Sequence, residues 1–375
     1  MILFLIVSGY FILLYLAQII QYILLALDKK EPVRQPEAYP VVSILLAVRN
    51  EEQNILTCLQ HMASLDWPAD CLEILIGNDA SEDKTEMLIR EYIQNKSQFR
   101  LINIRENIGT ARGKANVLAH LAREARGELF CITDADIRVP QSWIRGLYGA
   151  WQPGYGTING VTIVRQGHWL ANFQALDWIY AFAQVRLLSK HRIPISAVGN
   201  NMLISREAYA STGGYENLPF SLTEDFELFR HTLRKGWKYK NLLQQEVLAL
   251  TEGQPDLQSF LSQRKRWMTG AMQVPLFALA LLGLHGIFFP LLMTAMLLNP
   301  MAAAVCWIVK ILLDYPFTRL ALRRVGHTEY MKYFAMHQLL GPPLLFLQVV
   351  NFYLPGGIRW KGRNYSRDGK SLGGE

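Results

Sequence analysis

Val42-Ser-Ile-Leu-Leu-Ala-Val48 runs directly into Arg49-Asn50-Glu51. Seven residues is a strand's length, and the near absence of polar alternation predicts a strand covered on both faces, as in a parallel sheet. The chain beyond it repeats the theme. Residues 51–64 have helical spacing, with Asn50 as the expected cap, and residues 72–77 form a second apolar run. Residues 83–92 predict a second helix, 101–104 and 129–133 further strands, and 112–126 the helix between them. Alternating strands and helices predict an α/β domain with a mostly parallel sheet over residues 41–255, its ligands gathered at the carboxyl ends of the strands.

Outward from that domain the composition changes. The apolar share of the 375-residue chain is 51%, more than a soluble enzyme needs. Residues 1–27 carry no charge and are long enough to span a bilayer. A cleaved signal peptide is the weaker reading, because no basic stretch precedes the segment and no small-x-small cleavage site follows it. Lys29, Lys30 and Arg34 come next, and the positive-inside rule then places the domain in the cytoplasm. The chain is thus expected to be an integral membrane protein, of the plasma membrane in a bacterium. Pro32, Pro36 and Pro40 mark residues 28–40 as a linker. Residues 256–270 read as an interfacial helix and 271–355 as membrane segments, with crossings expected at 268–282 and 287–313. Gly341-Pro342-Pro343 interrupts the apolar stretch 330–354, so a bent or re-entrant segment is expected there, returning the basic tail 356–375 to the cytoplasm. The net charge of +7 suits anionic lipid better than nucleic acid, since no basic stripe is interleaved with aromatics. Cys58, Cys71, Cys131 and Cys306 show no metal-ligand spacing and read as reduced thiols.

Three acidic or basic clusters carry the chemistry. Asp134-Ala135-Asp136 ends a strand, where two carboxylates can share a hard cation, or simply cap a loop. Thr223-Glu224-Asp225 opens a helical stretch. It can be an N-terminal cap while Asp225 still serves as a base. Gln263-Arg264-Lys265-Arg266-Trp267 precedes the membrane segments, and reads both as an interfacial anchor and as a diphosphate grip with a stacking tryptophan. Gly109-Thr-Ala-Arg-Gly113-Lys114 is not a P-loop, being one residue short and lacking the hydroxyl after the lysine. Lys114 can still meet a phosphate as a point charge.

In combination these motifs resemble the membrane-integrated branch of the family-2 inverting glycosyltransferases, which have a GT-A fold. The first strand with Arg49-Asn50-Glu51, Gly77-Asn-Asp-Ala-Ser81, Asp134-Ala-Asp136, Thr223-Glu-Asp225 and Gln263 to Trp267 occur in that family's order. Asn200 and Gly213-Gly214 also fall where the family has similar residues. The resemblance implies a mixed, mostly parallel GT-A sheet flanked by N- and C-terminal transmembrane helices. It implies that Asp79 reads the nucleotide base, Asn50 and Glu51 line the nucleoside pocket, and Lys114 lies near the diphosphate. Asp136 would be the principal ligand of a Mg²⁺ or Mn²⁺ ion, with Asp134 beside it contacting ribose or donor sugar. Asp225 would be the base, and Gln263, Arg266 and Trp267 would close the site. Two residues depart from the pattern: Asn78 stands for the first Asp of the usual pair and Ala80 for the Gly. The activity implied is transfer of one sugar from a nucleotide diphosphate to a lipid or lipid-linked hydroxyl, with inversion. A processive polysaccharide synthase is the alternative, and a non-catalytic nucleotide-sugar-binding subunit a more distant one.

Overall fold

In the computed structural model, which describes residues 2–360 and 363–365, Val42–Val48 is strand β1 and is buried almost throughout. A 26-residue helix, α1 (Ile2–Leu27), precedes it. There follow α2 (Ile55–Ala63), β2 (Leu72–Asn78), α3 (Thr85–Ile93), β3 (Phe99–Asn103), α4 (Gly113–Glu124) and β4 (Leu129–Asp134). The second half of the domain adds α5 (Trp143–Ala150), β5 (Tyr155–Asn159), β6 (Val161–Val164), α6 (Trp169–Lys190), β7 (Asn201–Ser205) and α7 (Arg206–Ser211). It ends with α8 (Glu224–Arg234), β8 (Lys238–Asn241) and β9 (Leu248–Thr251).

Seven of these strands form one sheet in the order β3-β2-β1-β4-β7-β5-β8. β1, β2, β3 and β4 are mutually parallel, whereas β7 runs antiparallel to both neighbours. β6 and β9 form a separate parallel pair. The sheet is thus mixed and mostly parallel. Its register is what assembles the site: Ala47 lies opposite Asp134, and Val48 opposite Asn78. The residues just beyond the carboxyl ends of β1, β2 and β4 are therefore neighbours in space although some 30 to 90 positions separate them in sequence.

One boundary differs from expectation for a clear reason. Asn50 does not cap α2, which begins at Ile55 after Asn54. Asn50 instead takes a left-handed φ of 52° and joins two loops, its N–H donating to Ser81 Oγ (3.1 Å) and its Oδ1 accepting from the Glu82 N–H (2.9 Å). A short polar side chain tolerates that backbone because it can hydrogen-bond locally.

The apolar remainder is entirely helical up to Tyr353: α9 (Leu257–Ala271), α10 (Leu276–Gly286), α11 (Phe288–Leu298), α12 (Pro300–Val325) and α13 (Phe334–Tyr353). A small hairpin, β10 (Ile358–Trp360) with β11 (Arg363–Tyr365), ends the described chain. Among the described residues, three helices are long and apolar enough to cross a membrane, four if α10 and α11, bent by 41° at their junction, count as one span.

The expected segments divide elsewhere. The stretch 268–282 breaks before Pro275, with Met268 inside α9. The stretch 287–313 breaks at Asn299, whose side chain accepts from the Ala302 N–H and caps α12 ahead of Pro300. At Gly341-Pro342-Pro343 the expected break does not occur, because α13 runs through both prolines. Met336, Leu340 and Leu344 pack on Leu170, Phe173 and Phe260, and such tertiary burial outweighs the lost backbone donors. Both ends of α13 nevertheless meet the α/β domain or α9. Tyr330 donates to the Val164 carbonyl (3.0 Å), Lys265 to the Leu354 carbonyl (2.9 Å), and Ile358 is buried against Leu222. The polar tail beyond Tyr365, including Ser371, lies outside the described residues.

α1 and α12 run side by side toward the domain and meet it at Asp28. That carboxylate, almost fully buried, pairs with Arg186 (3.0 Å), Lys190 (2.8 Å) and Arg324 (2.7 Å). Burial alone would raise its pKa, but the Arg186 and Lys190 hydrogen bonds and the cationic charges hold it below the usual carboxylate range.

Candidate active site

A cavity of ≈ 1030 Å³ opens at the carboxyl ends of β1, β2 and β4 and extends beneath α9 to the start of the helical bundle. Its polar end is lined by Glu51, Asp79, Lys114, Asp134, Asp136 and Asp225. Gln263, Arg264, Arg266 and Trp267 line it from α9. Its other wall is apolar, with Trp178, Phe182 and Val185 of α6, Val274, and Leu282 of α10. Every candidate residue except Asn50 is thus brought to one cavity. Asn50 is engaged in the loop staple described above.

Lys114 is the centre of the polar end. Its Nζ lies 2.6 Å from Asp134 Oδ1 and 3.1 Å from Glu224 Oε1. Burial would lower its pKa, but Asp134, Glu224 and Asp225 outweigh that and keep it firmly protonated. It stands there because α4 begins at Gly113, whose φ of 55° favours glycine.

Asp225 is at the start of α8, with Oδ2 accepting from the Gly199 N–H and Oδ1 from the Phe226 N–H, each at 2.8 Å. Burial and the adjacent Glu224 charge push its pKa up to about 6, against the opposing pull of Lys114 and the two N–H donors. Position 199 must be glycine for this contact, since a Cβ there would lie 2.5 Å from that of Asp225. Gly199 and Glu224 are the site residues that motif reasoning missed or took only as a cap. No local pattern reveals Gly199, because its partner is 26 residues away.

Asp136 accepts from Thr251 Oγ1 at 3.2 Å, fixing it on the β9 side of the cavity. Asp134 and Asp136 offer only oxygen, and no cluster of three His, Cys, Asp or Glu side chains suited to a metal is found among the described residues. A donor set of two carboxylates beside a large open cavity fits a hard cation that keeps waters and takes the rest of its shell from substrate phosphates. It does not fit zinc.

At β2, Asp79 is held by Arg49, which approaches its carboxylate at 3.5 Å and donates to its backbone carbonyl at 3.1 Å. Asn78 turns away from the cavity. Its amide donates to Glu86 (3.1 Å) and Asn103 (3.0 Å), and its Oδ1 accepts from the Ser81 N–H (3.2 Å). A second aspartate here would face Glu86, so the departure from Asp follows from the neighbour. Ala80 has a φ of 48°, the left-handed conformation in which a glycine is more comfortable.

On α9, Arg266 donates to the Leu222 carbonyl (3.0 Å), one residue before Thr223-Glu224-Asp225. Gly270 lets the same helix approach Thr223, whose Oγ1 would be 2.9 Å from a Cβ. Trp267 lies between the Trp178 ring (5.2 Å between centroids) and the Arg264 guanidinium (4.7 Å), which is itself ion-paired with Asp177. Gln263 Oε1 is buried and has no hydrogen-bond partner among the described residues.

Comparison with known proteins agrees with this geometry. A mannosyltransferase from Pyrobaculum calidifontis, solved with GDP-Man and Mn2+, superposes with a TM-score of 0.60 over 93% of this chain and 96% of its own, at 20% identity, and so shares the fold. The beta-monoglucosyldiacylglycerol synthase of Synechocystis sp. is 27% identical over 244 residues, 63% of this chain and 48% of that protein. A probable glycosyltransferase of Bacillus subtilis, YdaM, is 26% identical over 253 residues, 64% of this chain and 57% of its own. The chain thus spans about half the length of the curated relatives it matches. The motifs resemble glycosyltransferase family 2, whereas the family model that matches, over residues 10–371, is that of family 21. The chain belongs to glycosyl transferase family 21 and is a glycosyltransferase.

Proposed function

We propose that this protein transfers a single hexose from a nucleotide-diphosphate donor to the hydroxyl of a lipid or lipid-linked acceptor, with inversion at the sugar carbon. The observation that carries the reading is the continuity of one cavity between a cationic and acidic end and an apolar wall built from α6 and α10. Asp225 stands where the two meet. Phe226, the next residue, packs with Val274 and Ala278 at the α9–α10 turn, while Lys114 reaches Glu224 from the other side.

In this reading Asp225 takes the proton of the acceptor hydroxyl as its oxygen bonds to the anomeric carbon, and the bond from that carbon to the diphosphate breaks. Direct displacement on the opposite face inverts the centre. A carboxylate with a pKa near 6 is ionised at neutral pH yet basic enough to accept a proton. Lys114 and Arg266 are the chain's own cations for the diphosphate, and Asp79 with Glu51 bounds the nucleoside. Trp267, fixed between Trp178 and Arg264, forms a platform for the sugar or acceptor. A bound Mg²⁺ or Mn²⁺ would be held by Asp136, with Asp134, and would neutralise charge on the leaving diphosphate. The catalytic domain faces the cytoplasm in this reading, which Lys29, Lys30 and Arg34 support through the positive-inside rule. The Synechocystis relative's name, with its single sugar on diacylglycerol, supports a one-step glycolipid product over a polymer.

The test is a donor panel offered to membranes containing the full chain and a total lipid extract, with labelled lipid products resolved by thin-layer chromatography. One labelled glycolipid, made by the native chain and not by Asp225→Asn, is expected. A ladder of long products, or no lipid product with any donor, overturns the proposal.

A further inference from the structure

Along α12 the outward side reads Val305, Ile308, Leu312, then Tyr315, then Arg319 and Arg323. The first four are all at least 45% exposed, and both arginines are exposed too. Spacings of three and four keep them on one side of the helix. The order is that of a bilayer met from within: hydrocarbon, aromatic belt, then charge. At 1.5 Å per residue, Arg319 and Arg323 stand about 6 and 12 Å beyond Tyr315, the depth of a headgroup layer. α1 ends beside them, since Asp28 pairs with Arg324, and its next residues, Lys29 and Lys30, are exposed.

From Asp28 to Arg34 and along α12 the carboxylates are Asp28, Glu31 and Asp314, each already paired with a cation in the interior. Every exposed charge on these two segments is positive. Among the described residues no carboxylate pairs with Lys29, Lys30, Arg319 or Arg323. Four cations at headgroup depth, around a joint that already gathers Arg186, Lys190 and Arg324, repel one another unless anions from outside the chain screen them.

We propose that Lys29, Lys30, Arg319 and Arg323 form a binding collar for anionic phospholipid headgroups at the joint between the helical bundle and the catalytic domain. The ligand class is a phosphodiester lipid of net negative charge, held laterally in the bilayer and distinct from any substrate in the cavity. The inference rests on the membrane-anchored reading but not on sugar transfer, and its test reads lipid association alone.

The full chain is reconstituted into phosphatidylcholine bilayers carrying traces of spin-labelled phosphatidylglycerol or spin-labelled phosphatidylcholine, and the motionally restricted fraction of each is measured. The native chain should prefer phosphatidylglycerol by about fivefold or more at low salt, the worth of at least one cation near an anionic surface. That preference should fall toward unity in molar salt and in the variant Lys29→Gln/Lys30→Gln/Arg319→Gln/Arg323→Gln. If the fourfold variant does not insert, Lys29→Gln/Lys30→Gln and Arg319→Gln/Arg323→Gln should each lose part of it. Arg90→Gln/Arg100→Gln, on the domain surface, should lose none. Equal restriction of the two lipids by the native chain, or an undiminished preference in the collar variants, overturns the proposal.

Discussion

The carboxylate of Asp225 is held at a cost that its chemistry explains. Its pKa of about 6 lies above the ordinary value of an aspartate, so its ionisation opposes folding. The stabilising contribution is fully present below about pH 4 and is lost as pH rises through 6. Asp225→Asn should therefore lose the pH dependence of stability around pH 6, although its amide nitrogen then faces one of the two N–H donors from which the carboxylate accepts. Turnover should fall by about two to four orders of magnitude with donor binding nearly intact. In the native enzyme kcat/KM should drop tenfold per unit below about pH 6. Near-native turnover in Asp225→Asn would remove Asp225 from the role of base. Asp136→Ala separates a different contribution. It should abolish the tightening of donor binding by Mg²⁺ or Mn²⁺, measured calorimetrically, while leaving the domain folded. Metal-dependent binding that survives the change would place the ion elsewhere.

At the scale of elements, the parallel half of the sheet was legible because its strands announce themselves. β1, β2 and β4 are predominantly apolar runs, and their register brings Asp79, Asp134 and Asp136 together. The antiparallel insertion of β7 between β4 and β5 was not legible. It depends on Asn201, whose side chain joins Trp143 Nε1 (2.8 Å) to the Val161 and Val247 carbonyls (2.9 Å each), contacts 40 to 58 residues apart. The broken helix expected at Pro342 and Pro343 was a local inference overruled by packing, and Asn50 was a plausible cap whose loop partner lies 31 residues on. The β2–α3 turn offers a test of how much strain local sequence can carry. Ala80 sits at φ 48° directly after Asp79, in the place where the resembled family has glycine. Ala80→Gly should relieve about 1 kcal/mol of backbone strain, partly offset by the greater freedom of glycine in the unfolded chain. A rise in Tm with little change in donor KM is expected. A fall in Tm would show that the strain is absent.

Across the whole molecule, the path of α13 decides how the helical bundle serves the active site. By length and composition it qualifies as a span, which would carry the polar tail to the far side. Its contacts argue otherwise. It leaves the domain at Tyr330, passes Phe173 and Phe260, meets Lys310 through Gln338, and returns to α9 through Asn351 and Lys265. A helix tied to the domain side at both ends is expected to turn back rather than cross. It packs along α6 and α9 through Met336, Leu340 and Leu344, and that packing makes a Gly-Pro-Pro sequence tolerable inside it. α11, by contrast, leads away from the domain to Asn299, from which α12 returns to Asp28. Single cysteines at Glu329 and Tyr353, both exposed, should thus react with an impermeant maleimide only in inside-out vesicles, and a cysteine at the exposed Leu297 only in right-side-out ones. The free native thiols are first replaced by serine or alanine. Opposite labelling of positions 329 and 353 would mean that α13 crosses. The Lys265–Leu354 contact, which draws the C-terminal hairpin against Leu222 beside the proposed base, would then have to be absent in the membrane.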